Sequence, residues 1–254
     1  MPMIPEPIVL SWSGGKDSAL ALARLRSDPG LEVVALLTTV TAGYDRVSVH
    51  GVRRALLEAQ AAALGLPVHQ VTIPPESSNQ AYEAAMAAAL GRLRERLPAV
   101  RRLAFGDIFL EDVRRYREEQ VAALGFGALF PLWGEPTDAL AREVLEIGFA
   151  ARLVCVDTRA LPAAFAGRGY DAALLAELPA GIDPCGERGE FHTFVSAGPG
   201  FRRPVRYRVG EVVLRAERFA FCDLVPLDAG PGAEAVSAPT EGSIPADAHP
   251  PMVS

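Results

Sequence analysis

The stretch that most constrains this chain is Ser11-Trp12-Ser13-Gly14-Gly15-Lys16-Asp17-Ser18. It lies between an apolar run, Pro7-Ile8-Val9-Leu10, and a helical pattern carried by Leu20, Leu22, Ala23 and Leu25. A strand, a tight glycine turn and a helix N-terminus therefore fall within the first thirty residues. Such a turn aims backbone N–H groups and the positive end of a helix dipole at one spot, which suits an anion. Gly14 and Gly15 lack a Cβ, so their backbone can approach phosphate oxygens closely. Ser11, Ser13 and Ser18 add hydroxyls, Lys16 a cation, and Asp17 a hard oxygen ligand for Mg²⁺. A nucleoside triphosphate is the ligand these groups fit.

The spacing excludes the kinase-type phosphate loop, which needs a glycine at position 10 and a hydroxyl residue at 17, where this chain has Leu10 and Asp17. The stretch instead resembles the S-G-G-x-D-S signature of the PP-loop ATP pyrophosphatases, which cleave ATP to AMP and pyrophosphate. Lys16 is the sole lysine among 25 lysines and arginines, so a compact ammonium stands at the motif in an otherwise arginine-only chain.

Apolar strands then alternate with helical patterns. Residues 31–40, 68–73, 102–105 and 127–132 read as strands. Helices are expected from His50-Gly51 to Gly65, from a Ser77 cap to about Leu97, and around Val113 to Leu124. That order predicts an α/β fold with a doubly wound, parallel, five-stranded sheet. Ligands in such sheets sit beyond the carboxyl ends of the strands at the switch point, which gathers residues 13–18, His50, Gly106 and Asp107 around one crevice. His50 either contacts the nucleotide or caps its helix. Asp107 either serves a metal or hydroxyl, or begins the next loop.

After Trp133 the texture changes. A helix over 136–147, a strand over 150–156, a short helix over 171–178 and a two-stranded ribbon, 205–213 with 214–224, predict a smaller α+β unit. We expect a nucleotide-binding domain over 1–133, a substrate domain over 134–227 and a disordered tail over 228–254, where Pro, Ala, Gly and Ser dominate. A net charge of −6 disfavours non-specific binding to nucleic acid or anionic membranes. Cys155, Cys185 and Cys222 are far apart and form no C-x-x-C pair, so neither a zinc site nor a disulfide framework is supported. No apolar run approaches the ~18 residues of a spanning helix, and a reducing cytoplasm is the expected compartment.

A second constellation follows the short helix: Cys185-Gly186-Glu187-Arg188-Gly189-Glu190-Phe191-His192-Thr193-Phe194-Val195. Together with the first motif and Pro131-Leu132-Trp133, it is similar to the diphthine–ammonia ligase family, over most of residues 7–224. The resemblance implies a nucleotide α-hydrolase-like sheet followed by a substrate domain. It also implies ATP-dependent amide formation: a carboxylate is activated as an acyl-adenylate, pyrophosphate leaves, and ammonia or an amine displaces AMP. Lys16, Asp17, Glu187 and Glu190 are then the catalytic set, with Asp17 on the metal. Ser11, Ser13, Gly14, Gly15, Lys16, Asp17, Ser18, His50, Gly106 and Asp107 surround ATP, and Glu187, Glu190, His192 and Thr193 face the acceptor. Either glutamate can alternatively hold its loop by accepting backbone N–H bonds. Cys185 reads as a packed thiol.

The chain departs from the family where tyrosine and glutamate usually precede the threonine: here they are Phe191 and His192. His192 removes a negative charge at the implied substrate site and adds a titratable base. The acceptor therefore stays open. The competing readings are a PP-loop RNA-modifying enzyme, which usually brings paired cysteines or a basic domain, and a non-catalytic nucleotide sensor.

Overall fold

A computed structural model describes residues 4–43, 46–47, 50–74 and 78–227. The expected cap Ser77 and the expected tail over 228–254 lie outside these residues. The strands are β1 (Glu6–Ser11), β2 (Leu31–Thr41), β3 (Arg46–Val47), β4 (Val68–Ile73), β5 (Arg102–Ala104), β6 (Gly127–Leu129), β7 (Ala150–Asp157), β8 (Phe191–Ala197), β9 (Tyr207–Arg215) and β10 (Phe219–Pro226). The helices are α1 (Lys16–Ser27), α2 (Arg54–Leu64), α3 (Asn79–Arg96), α4 (Glu111–Ala122), α5 (Thr137–Glu146) and α6 (Ala172–Glu177).

The first sheet carries five parallel strands. β1 pairs with β2 on one side and β5 on the other, β2 pairs with β4, and β5 with β6. Their order is thus β4-β2-β1-β5-β6, and it reverses between β1 and β5. That is the switch point, and the glycine turn leaves β1 beside it. One addition was not expected. Between β2 and α2, where no strand was expected, Arg46 and Val47 pair antiparallel with Thr41 and Val40 and extend β2 as a short hairpin.

Alternation along β1 divides the interior. Ile8 and Leu10 join a core containing α1, α2 and the C-terminal strands, whereas Val9 joins Leu37, Val71, Leu90, Leu93 and Phe105 beneath α3. The first of these cores runs without a break from Ile8 to Leu224. The second sheet, ordered β8-β7-β10-β9, is entirely antiparallel, so the expected ribbon is the outer half of a four-stranded sheet. Its turn also differs from expectation. The hairpin reverses at Ala216 and Glu217, both at positive φ (47° and 52°), rather than between Val213 and Leu214. Neither residue belongs to the Asn-Gly or Asp-Gly pairs that mark such turns, so the turn carried no local signal.

Candidate functional site

The glycine turn is held from three sides. At Gly14 φ is +81°, where L-residues are strained, and an added Cβ would meet Gln60 Oε1 at 2.6 Å. Gln60 sits at the centre of the turn's support. Its Nε2 donates to the carbonyls of Gly14 (3.0 Å) and Val195 (2.6 Å), and its Oε1 accepts from Trp12 Nε1 (3.0 Å). The residue is fully buried. Sequence reading missed it, although one signal was present: Gln60 lies four residues from both Leu56 and Leu64, on the apolar stripe of α2.

From the second side comes β8, laid across the turn. The Val195 N–H donates to the Gly14 carbonyl (2.9 Å), and the Thr193 hydroxyl accepts the Lys16 N–H (3.0 Å). Gly15 is packed against Thr193 and His50, so the two glycines are buried rather than open to a ligand. Ser11, Ser13, Asp17, His50, Gly106, Asp107, Glu187 and His192 are only partly buried, and Asp17, Gly106, Asp107 and Glu187 lie together on the less covered flank of the turn.

Lys16 differs most from expectation. Only 1% exposed, its ammonium contacts both Asp17 oxygens (3.0 and 2.9 Å), donates to the Cys185 carbonyl, and lies over the rings of Tyr170 and Phe191 at 5.4 and 5.3 Å. Burial opposes its charge, but Asp17, aided by Cys185 and Tyr170, outweighs that penalty and raises its pKa. Its ammonium thus bridges the two motifs, from Asp17 to the Cys185 carbonyl. Burial pushes the Asp17 carboxyl up against the pull of Lys16, and Asp183 adds to the push. The Asp17 side chain keeps 28% exposure on the open flank.

The third side is the turn after β5. A Cβ on Gly106 would lie 3.1 Å from the Asp17 carbonyl carbon and 3.1 Å from the Ser18 nitrogen, so only glycine lets this turn pack so closely on the first turn of α1. The Lys16 N–H goes to the Thr193 hydroxyl from β8, and the N-cap, Gly15, has no side chain to cap that helix end. The Ser13 and Ser18 hydroxyls lie 3.3 Å apart beside it, with Ser18 donating to the Gly15 carbonyl. Asp107 is committed to an ion pair with Arg117 at 2.8 Å. Glu187 reaches this turn from the late loop, accepting from the Ile108 N–H at 2.7 Å and the Phe109 N–H at 3.4 Å. Burial, with Asp17 and Asp107 nearby, outweighs those hydrogen bonds and pushes Glu187 up to about 8.

The late loop is folded around its own carboxylates. Glu190, 7% exposed, accepts from the Asp183 and Arg188 N–H groups at 3.2 and 3.0 Å, and Asp183 accepts from the Glu187 N–H at 2.8 Å. Glu190 therefore occupies the loop-holding geometry. Asp183, which the sequence did not mark as a site residue, shares it. Cys185 is buried, its thiol pushed up to about 12 by burial, which matches a packed thiol.

His50 does not cap α2, whose N-cap is Arg53. Its Nδ1 instead lies 3.3 Å from the Thr193 carbonyl, and its ring stands 4.6 Å from that of His192. Burial lowers its pKa to about 4 against the Thr193 carbonyl, with Lys16 assisting, so the imidazole is neutral near pH 7. The site thus combines a helix end whose N-cap is glycine, two hydroxyls, and two partly exposed carboxylates, Asp17 and Glu187, both of raised pKa.

Comparison with known proteins bears on both halves of this arrangement. A family model described as the diphthamide synthase N-terminal domain matches residues 7–126, and one described as the diphthamide synthase C-terminal domain matches residues 136–222. The human protein named diphthine–ammonia ligase is 29% identical over 230 residues, covering 82% of this chain and 85% of its own.

Proposed function

Because the chain belongs to the diphthamide synthase family, we propose that it is an ATP-dependent ligase joining ammonia or another amine to a carboxylate. One observation carries this reading: the late acidic loop is locked onto the glycine turn through Lys16, Cys185 and Thr193. Neither motif can move without the other, as a reaction that hands an activated group from one to the other requires.

The residues fit a magnesium-bound nucleotide. The positive end of α1 and the partly buried Ser13 hydroxyl offer groups for phosphate oxygens, while the buried Ser18 hydroxyl, bonded to the Gly15 carbonyl, braces the turn. Ser11, His50 and the buried Gly14, Gly15 and Lys16 shape and support that cradle. Among the described residues, no three His, Cys, Asp or Glu side chains form a metal site of their own. Mg²⁺ commonly takes one or two carboxylates with phosphate and water oxygens, and Asp17 supplies one. ATP would provide a leaving pyrophosphate and an adenylyl group for the carboxylate, and the metal would offset charge on the phosphates.

On the acceptor side, Glu187 has the pKa of a base working near neutrality, suited to taking a proton from the attacking amine. His192 borders the same flank, while Glu190 and Thr193 hold the loop and the turn in register. In this reading residues 1–133 bind the nucleotide and residues 134–227 present the acceptor.

The test uses the full chain with Mg²⁺-ATP, ammonium and fractionated carboxylate-bearing metabolites and proteins, and follows AMP and pyrophosphate. Acceptor-dependent release of both, with ¹⁸O passing from the carboxylate to AMP, is the expected result. Release of ADP and phosphate would overturn the proposal.

A further inference from the structure

We infer that the outer strand of the second sheet is a self-association edge, through which two copies of this chain pair antiparallel. Among the described residues, the exposed large apolar side chains are Ile4, Val209, Val212, Leu214 and Leu227. Three of the five lie on β9, at 46%, 49% and 54% exposure, and Leu227, at 50%, directly follows β10. Their placement is not a scatter of surface residues. Val209 is opposite Leu224, Val212 opposite Cys222 and Leu214 opposite Ala220, and those three partners are buried. Residues directly opposite one another share a face of a sheet. The core-facing side of the sheet therefore continues onto β9, past the point where this chain covers it. The other edge of β9 pairs with no strand among the described residues. A patch of apolar side chains beside an open edge is the signature of strand addition.

The occupant is a second copy because the strand is complementary to itself. Between Cys222 and Leu224 the pairing shifts, with β9 carrying an extra residue near Gly210 and Glu211. That bulge leaves 212–215 as the regular stretch of edge, bordered by Glu211. An antiparallel two-fold centred on Val213 places Glu211 of each copy opposite Arg215 of the other, and Val212 opposite Leu214. Both opposite-charge pairs and both apolar pairs are satisfied together. Centring on Glu211 would instead set Glu211 against itself, so charge disfavours that register. Continuing the sheet through the two-fold gives eight strands and brings both uncovered apolar rows together.

Sedimentation velocity of the full chain over a concentration series tests this. The wild type is expected to show a monomer–dimer equilibrium, and Val212→Lys to shift it to monomer while retaining the wild-type circular dichroism spectrum. Glu211→Arg and Arg215→Glu each place like charges in both pairs, so each alone should lose the dimer. An equimolar mixture of these two variants pairs Arg with Glu at every position and should recover it. A chain monomeric at all concentrations overturns the inference, as does a dimer indifferent to these substitutions or a mixture that stays monomeric. Amide protection of β9 that disappears on deletion of residues 228–254 would assign the patch to the chain's own C-terminal segment, and would also overturn it.

Discussion

Single residues at this site are defined by what surrounds them. Asp17 and Lys16 are neighbours in sequence, yet one reaches the open flank and the other is sealed under Tyr170 and Phe191. Asp17→Ala is expected to abolish acceptor-dependent pyrophosphate release while leaving a folded chain, and unchanged release would exclude Asp17 from the metal site. For Glu187 the sign follows from proton binding. Its pKa is raised to about 8 in the folded protein, so between the ordinary carboxylate range and about 8 the folded state holds a proton that the unfolded state has lost. Stability therefore falls as pH rises through that window and levels off above it. The raised pKa of Asp17 acts in the same direction. His50, lowered to about 4, acts oppositely, but only up to its unfolded value of ~6.5. Glu187→Gln should thus flatten the stability profile from about pH 6.5 to 8, measured by denaturant melts at a series of pH values.

At the scale of elements, the turn after β1 depends on α2 and β8 as much as on its own glycines. Gly14→Ala forces a side chain into a left-handed conformation at a cost of about 1–3 kcal/mol, and drives its Cβ toward Gln60. Gln60→Leu keeps the volume but removes the partner of Trp12 and a donor to the Gly14 and Val195 carbonyls. Leaving buried polar groups unpaired costs about 1–3 kcal/mol each, so chemical denaturation should show a loss at least that large. The short hairpin β3 is tied to the second sheet by Arg46 and Arg53, both on Asp223. Asp223→Ala should lower global stability by only about 1 kcal/mol. It should, however, speed amide exchange at Val47 and Gly51, whose hydrogen bonds lie beside the lost contact. The parallel strands were legible because each is a compact apolar run between helical patterns. β3 and the turn at Ala216–Glu217 were not, because two paired residues and a turn without glycine or asparagine leave no periodicity to read.

The whole molecule behaves as one packed body. The change in texture after Trp133 led to the expectation of a boundary there, but the main core includes Ile8, Leu20 and Leu56 together with Leu153, Phe194 and Leu224. A fragment of residues 1–133 would expose the apolar face that β8 and its neighbours cover. We expect that fragment to aggregate or to bind hydrophobic dyes without a cooperative melt. A cooperative transition in the fragment would show that residues 1–133 fold on their own.

By itself, the sequence determined the alternating sheet, the place of the glycine turn at its switch point, and the two motifs that mark the family. These are local or periodic properties, written in runs of apolar residues and in fixed spacings. Only the tertiary structure decided which motif residues face outward. Contacts spanning 177 positions, from Lys16 to Thr193, and 169, from Lys16 to Cys185, turned the lysine inward. They also buried both glycines and left Asp17 and Glu187 beside the open flank. Burial and long-range pairing set those roles, and neither is a property of any short stretch of chain.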